Sequence, residues 1–231
     1  MQYYFILGRN PKLSKAEVAS VLEFLEIKFQ IKDIRNNILF LDTDEDLDIE
    51  LINQRLGGIV KIGQIIDQVD SLDKVTDKFC KLVKCQEGKL HFGFSLYSLI
   101  DKINLKKKLQ QLKLVAMEIK RKMREEKNLN SRWVVSKEPQ LSSVIVKKNQ
   151  LLKYGSEICF FIDDKKILVG QTLAVQQFEE FGARDYKRPA RDDVSGMLPP
   201  KLARIMLNLA KIKVGSVILD PFCGSGTILQ E

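Results

Sequence analysis

Histidine is almost absent from the 231 residues: His91 stands alone, beside four cysteines, one tryptophan and six prolines. The cysteines, Cys80, Cys85, Cys159 and Cys223, form no C-x-x-C pair. A structural zinc site needs four clustered Cys or His ligands, so no metal is expected. Scattered thiols point to a reducing, intracellular setting rather than a disulfide framework. With no histidine near it in sequence, Cys223 lacks an activating base and reads as a small loop residue, not a nucleophile. No stretch approaches the roughly 18 apolar residues of a membrane span. The apolar run at Met1–Leu7 is too short for a signal peptide and has no basic segment before it. These absences lead to the expectation of a soluble cytoplasmic protein with no metal and no membrane partner.

What is present is a chain with 45% apolar residues and a net charge of +8. That length and content suit one or two compact domains. The basic balance suits a polyanionic partner.

The first stretch reads as a small β-α-β-β-α unit, a ferredoxin-like half. Gln2–Leu7 is a strand ended by Gly8. Ser14 and Glu17 have the spacing of a capping box, and Val18, Val21, Leu22 and Leu25 follow as a helical stripe. Asn37–Leu41 reads as a strand, and Asp46–Leu56 as a helix stopped by Gly57.

A second unit follows. Ile59–Val69 reads as a strand, Ser71–Val83 as a helix with Val75, Phe79, Leu82 and Val83 inward, and Lys89–Tyr97 as a strand. From Leu105 to Lys127, apolar residues recur every three or four positions (Leu105, Leu109, Leu112, Ala116, Ile119, Met123), which is one face of a long helix. Between Asp101 and Lys127 ten residues are basic and four acidic, so most of the excess positive charge sits here. Arg132–Ser136, Ser143–Lys147, Glu157–Asp163 and Lys166–Val175 read as strands, the last two joined as a hairpin. The polar run Gln176–Asp193, with Gly182 and Pro189, reads as a linker.

The third region is short. Pro199 and Pro200 suit the first turn of a helix with a stripe of Leu198, Leu202, Ile205, Met206 and Leu209. Ser216–Asp220 reads as a short apolar strand. It runs into Asp220-Pro-Phe-Cys-Gly-Ser-Gly-Thr227 and the start of a helix. A strand, a Gly-x-Gly turn and a helix form the ligand-binding corner of a doubly wound α/β domain. Position 229 is Leu, so the third glycine of a dinucleotide fingerprint is missing.

The string Asp220–Thr227 resembles motif I of the amino-methyltransferases, a class that includes RNA guanine-N2 and DNA adenine-N6 or cytosine-N4 enzymes. There the loop wraps the methionine part of S-adenosylmethionine. The resemblance implies that Asp220, Pro221, Phe222, Gly224, Ser225, Gly226 and Thr227 lie at this cofactor. The preceding Arg184–Ala203, with Asn208-Leu-Ala210, resembles the entry to the catalytic domain of THUMP-domain tRNA guanine-N2 methyltransferases of the position-10 type. Ser195, Met197 and Leu198 are then weaker candidates for the cofactor pocket. Leu7–Ser14, Ser142–Leu151 and Val169–Gln176 also resemble segments of that family.

The resemblance implies an α/β chain: an α+β ferredoxin-like domain at 1–58, a THUMP RNA-binding domain at 59–176, a linker at 177–193, and the start of a Rossmann-like methyltransferase domain at 194–231. In the family the THUMP module grips the acceptor end of tRNA. Lys106, Lys107, Lys108, Lys120, Arg121, Lys122 and Arg124 suit a phosphate-binding face, with Lys147 and Lys148 extending it. The family's catalytic Asn/Asp-Pro-Pro-Tyr/Phe motif does not occur, since Pro199-Pro200 is flanked by Leu198 and Lys201. The expectation is a fragment, a truncated frame or one subunit of a split enzyme with a companion chain, inactive by itself. The competing readings are a DNA amino-methyltransferase and a non-catalytic RNA-binding module.

Overall fold

The structure is a computed structural model, and it describes residues 1–76, 79, 90–101, 103–187 and 196–231. In chain order the elements are β1 (Gln2–Leu7), α1 (Pro11–Phe24), β2 (Gln30–Arg35), β3 (Ile38–Asp42), α2 (Ile49–Arg55) and β4 (Ile59–Val69). Next come β5 (Leu90–Ser98), α3 (Leu105–Lys127), β6 (Ser131–Val134), α4 (Ser143–Lys148), α5 (Leu151–Tyr154), β7 (Gly155–Ile162) and β8 (Ile167–Val175). Three helices complete the chain: α6 (Phe178–Tyr186), α7 (Pro200–Leu209) and α8 (Thr227–Gln230). The fold is α/β. It divides into two compact units, Met1–Ile62 with Gln176–Glu231, and Gly63–Val175.

In the first unit β3 is flanked by β1 and β2, antiparallel to both, with a register shift between Ile31 and Asp33. β2 buries no residue fully and leaves Ile34 exposed, so its sequence carries little apolar alternation, and it is the strand that the sequence pattern missed. Tyr4, Phe5, Leu39 and Leu41 are fully buried. The capping-box reading of Ser14 and Glu17 is overturned. α1 starts one turn earlier, where Pro11 occupies a position whose N–H would be unpaired in any case. Ser14 and Glu17 are interior helix residues facing inward: the Ser14 hydroxyl donates to Gly58 O at 2.8 Å, and Glu17 accepts from Gly57 N and Gly58 N. α2 begins at Ile49, not Asp46, because the Asp48 carboxylate caps it by accepting from Leu51 N. Leu56, in extended conformation, ends it before Gly57.

In the second unit β5 pairs in parallel with β6 on one side and β7 on the other, and β7 pairs antiparallel with β8. Parallel neighbours need a long crossover, and α3 supplies the one between β5 and β6. α3 runs over Leu105–Lys127, as its periodicity predicts. Its buried side chains, Leu112, Val115, Ala116, Ile119 and Met123, share a core with Phe92, Phe94, Ile158 and Phe160. Ser71–Val83 is described only in part: Leu72–Lys74 forms a 3₁₀ turn, and Val75 and Phe79 are buried. Leu82 and Val83 lie outside the described residues.

Ser143–Lys147 is helical, not a strand. The Ser142 side chain caps it by accepting from Ile145 N, and Ser143 and Val146 turn inward at helical spacing. Tertiary packing and the cap outweigh the β-preference of Val-Ile-Val. The polar run read as a linker contains α6, whose Phe181 is 3% exposed.

Candidate functional site: the glycine loop at 220–227 and two basic faces

The glycine loop is built by backbone chemistry. Asp220 Oδ1 accepts from Phe222 N at 3.0 Å, which turns the chain directly after the carboxylate. Gly226 N then donates to Cys223 O at 2.7 Å. Gly224 and Gly226 have φ of +50° and +74°, a region L side chains rarely adopt. Nothing crowds either glycine, since a Cβ there would meet no atom closer than 3.8 Å. Gly226 is the N-cap of α8, and Thr227, the first residue of that helix, is 4% exposed. The result is an open, bent backbone with a carboxylate at its entry.

Pro221, Phe222 and Ser225 are exposed on the loop, with the Phe222 ring 92% exposed. Met197 and Leu198 are half-buried ahead of α7, and Ser195 lies outside the described residues. Ser216–Asp220 is not a strand: no described segment pairs with it, and Val217 and Leu219 are 98% and 87% exposed. A strand needs a neighbour for its N–H and C=O groups, and without one the apolar sequence alone makes no ladder. The stripe expected on α7 is also rotated. Pro200, Ala203 and Ile205 are buried, while Met206 and Leu209 are 49% and 36% exposed.

Sequence reading missed the group that anchors α8. Glu231, whose side chain is fully buried, meets Arg184 of α6 at 2.5 Å and Arg204 of α7 at 2.6 Å. Both guanidiniums lie over the Phe181 ring, at 4.7 and 5.5 Å from its centroid. Lys201 Nζ lies 5.6 Å from the same centroid and donates to Gln176. Burial lowers the pKa of Lys201, and the negative charge of Asp185 partly offsets this. Beside this group is an open cleft of about 600 Å³ whose lining includes Arg55, Arg204, Asn208, Ile218 and Leu229. Arg184 lies in the run read as a linker and Lys201 in the first turn of the expected helix, and nothing in their spacing marks them as members of one cluster.

Residues 187–231 match the RMKL-like methyltransferase domain family. A tRNA (guanine(10)-N2)-dimethyltransferase of Methanothermobacter thermautotrophicus is 51% identical over 71 residues, which is 30% of this chain and 20% of that protein. The chain therefore matches about a fifth of the length of this relative. Among solved structures, TrmN from Thermus thermophilus aligns over 99% of this chain and 60% of its own, with a TM-score of 0.54 at 13% identity. SMU.472 complexed with SAH aligns over 98% and 53%, with a TM-score of 0.52 at 13% identity. At such identities these structures share the fold. The glycine loop thus lies within a stretch of methyltransferase-family sequence. An open glycine backbone is one that a ligand can approach closely.

The basic residues do not form one face. On α3, Lys106, Lys120, Arg121 and Arg124 are exposed, together with Lys107 on the flank. Lys108 and Lys122 are half-buried. Arg121 pairs with Glu125 at 2.9 Å, and Lys122 with Glu118 at 3.7 Å. Lys147 and Lys148, exposed on α4, do not extend that face. α3 covers the side of the sheet that carries Phe92 and Phe94. Leu141 and Leu151, either side of α4, cover Gly93 on the reverse side. Among the described residues no group of His, Cys, Asp and Glu is arranged to hold a metal. No helix among them is long and apolar enough to cross a membrane.

Proposed function

We propose that this protein is the RNA-recognition and cofactor-entry part of an S-adenosylmethionine-dependent methyltransferase acting on the exocyclic N2 of a guanosine in cytoplasmic tRNA. The observation that carries the proposal is the loop Asp220–Thr227, with its two positive-φ glycines, inside a methyltransferase-family stretch. The name of the 51%-identical relative supports guanosine N2 and tRNA. When bound, the cofactor supplies the methyl sulfonium. Gly224 and Gly226 allow close approach, Asp220 offers a carboxylate to a cationic group, and Phe222 offers an apolar surface to the ligand.

An exocyclic amine is a weak nucleophile until it is aligned with the methyl group, so positioning the RNA carries much of the rate. The second unit supplies that positioning by holding the tRNA at its acceptor end. The Asn/Asp-Pro-Pro-Tyr/Phe motif does not occur in these residues, so the proposal assigns them recognition and cofactor contact and no catalytic group.

Ultraviolet cross-linking of radiolabelled S-adenosylmethionine, mapped by mass spectrometry, tests the cofactor assignment. Label within 220–227 is expected, and label confined elsewhere overturns it. Competition between tRNA and duplex DNA tests the substrate class, and a preference for DNA overturns the tRNA reading.

A further inference from the structure

We infer that Glu231 and Arg184 are positioning residues for the cofactor: their ion pair, closed by Arg204 over the Phe181 ring, holds the Asp220–Thr227 loop in the bent shape that admits a ligand. This rests on the S-adenosylmethionine reading above and identifies what keeps that site in shape.

The loop is poorly supported from within. Pro221, Phe222, Cys223, Gly224 and Ser225 are all exposed, so no buried side chain fixes their backbone. The two glycines widen the set of conformations open to it. α8, which follows, has only four residues, and a single helical turn is unstable without outside support. Two backbone bonds close it, from Gln230 N to Gly226 O at 3.0 Å and from Glu231 N to Thr227 O at 3.3 Å. Its N-cap is a glycine with no side chain to offer, and its last turn has no basic residue to complement the dipole. Support comes from side chains that turn inward: Thr227, and Glu231 directly after the turn.

Glu231 is held from two sides. Its Oε1 accepts from Arg184 Nε at 2.5 Å, and its Oε2 lies 2.6 Å from Arg204 Nη2. The guanidiniums are themselves fixed: Arg204 Nη1 donates to Gln54 O at 2.6 Å, and both groups lie over Phe181. The carboxylate is fully buried, so salt and water screen these contacts little. Displacing it would leave a buried charge without its partners, which is costly, so its position is sharply set. The turn that ends at Glu231 begins at Gly226, and the Gln230 N to Gly226 O bond carries the constraint back to the glycine. Arg184 and Phe181 both precede the family-matching stretch 187–231, so this support comes from α6, outside that stretch. A binding backbone keeps its geometry only when such supporting groups are locked in place.

The test is equilibrium dialysis of the 231-residue chain against radiolabelled S-adenosylmethionine, beside a urea melt of each variant. Arg184→Ala is expected to weaken binding at least tenfold. Arg184→Lys, which keeps a cationic donor for Glu231, is expected to stay within threefold of wild type. Ser20→Ala removes the bond from Ser20 Oγ to Asn208 O at 2.7 Å and leaves the clamp intact. It is expected to lower the urea midpoint and to change binding less than threefold. Should Arg184→Ala fail to fold, Glu231→Gln sets an amide N–H against one guanidinium and carries an expected loss of at least fivefold. If the wild-type chain binds and the losses merely follow the urea midpoints, Ser20→Ala included, Arg184 is only structural and this inference falls alone. If the wild-type chain takes up no S-adenosylmethionine, the cofactor reading falls and this inference with it.

Discussion

Asn208 on α7 donates its side-chain amide to Glu17 Oε1 on α1 at 2.8 Å, across 191 residues of sequence. The same carboxylate accepts from Gly57 N and Gly58 N, so one buried acid joins α1, the turn after α2, and α7. Burial raises its pKa against the lowering effect of these donors. Because the native state holds this proton more tightly than the unfolded state, Glu17 opposes folding progressively as pH rises from its unfolded pKa through its folded one.

Replacing Glu17 with Gln removes that titration and sets an amide against one of the two glycine N–H groups. The variant is expected to be less stable at low pH by about 1–3 kcal/mol. The deficit is expected to shrink as pH rises above the usual carboxylate range. Paired urea melts from acid to neutral pH check this, and a deficit that grows with pH contradicts it.

Gly226 caps α8 with φ of +74°. Gly226→Val forces a β-branched residue into that region at a cost of order 1–3 kcal/mol. Since no atom lies within 3.8 Å of the added Cβ, the damage is expected to stay local. S-adenosylmethionine cross-linking at 220–227 should fall while the overall circular dichroism is kept. Undiminished cross-linking would mean that the loop does not need this conformation.

Arg184→Ala removes one of the two guanidiniums on buried Glu231. A hydrogen bond to a charged group is worth about 1.5–3 kcal/mol, so the first unit is expected to lose about that much. Amide hydrogen exchange at 227–230 should rise well above that in the second unit, and unchanged exchange there would show that α8 is held by other contacts.

Ser142→Ala deletes the side-chain acceptor for Ile145 N. The expected loss is about 1 kcal/mol, read as a lower urea midpoint with an unchanged slope. A neutral result would show that α4 is held by Val146 and its neighbours alone.

Legibility followed the length and isolation of each signal. The apolar rows of α3 repeat over 23 residues, and both of its ends agree with the sequence pattern. β4 and the β7–β8 pair were legible from β-forming runs bounded by turns. Short segments were not. Val144-Ile-Val146 has strand composition, yet a serine cap and one inward turn make it helical. Ser216–Asp220 has strand composition and remains unpaired. The Ser14/Glu17 spacing imitates a capping box, but both side chains serve contacts 40 or more residues away.

The sequence by itself determined the α/β alternation, the glycine loop and the methyltransferase resemblance, because each is local: a period, a turn residue, a contiguous string. Only the tertiary structure decided which cations share a surface and which carboxylates are buried. Lys147 and Arg121 look equivalent in a charge count, and a sheet lies between the helices that carry them. Glu231, Arg184 and Arg204 meet over Phe181 because three helices converge there, and chain spacing carries no trace of that convergence.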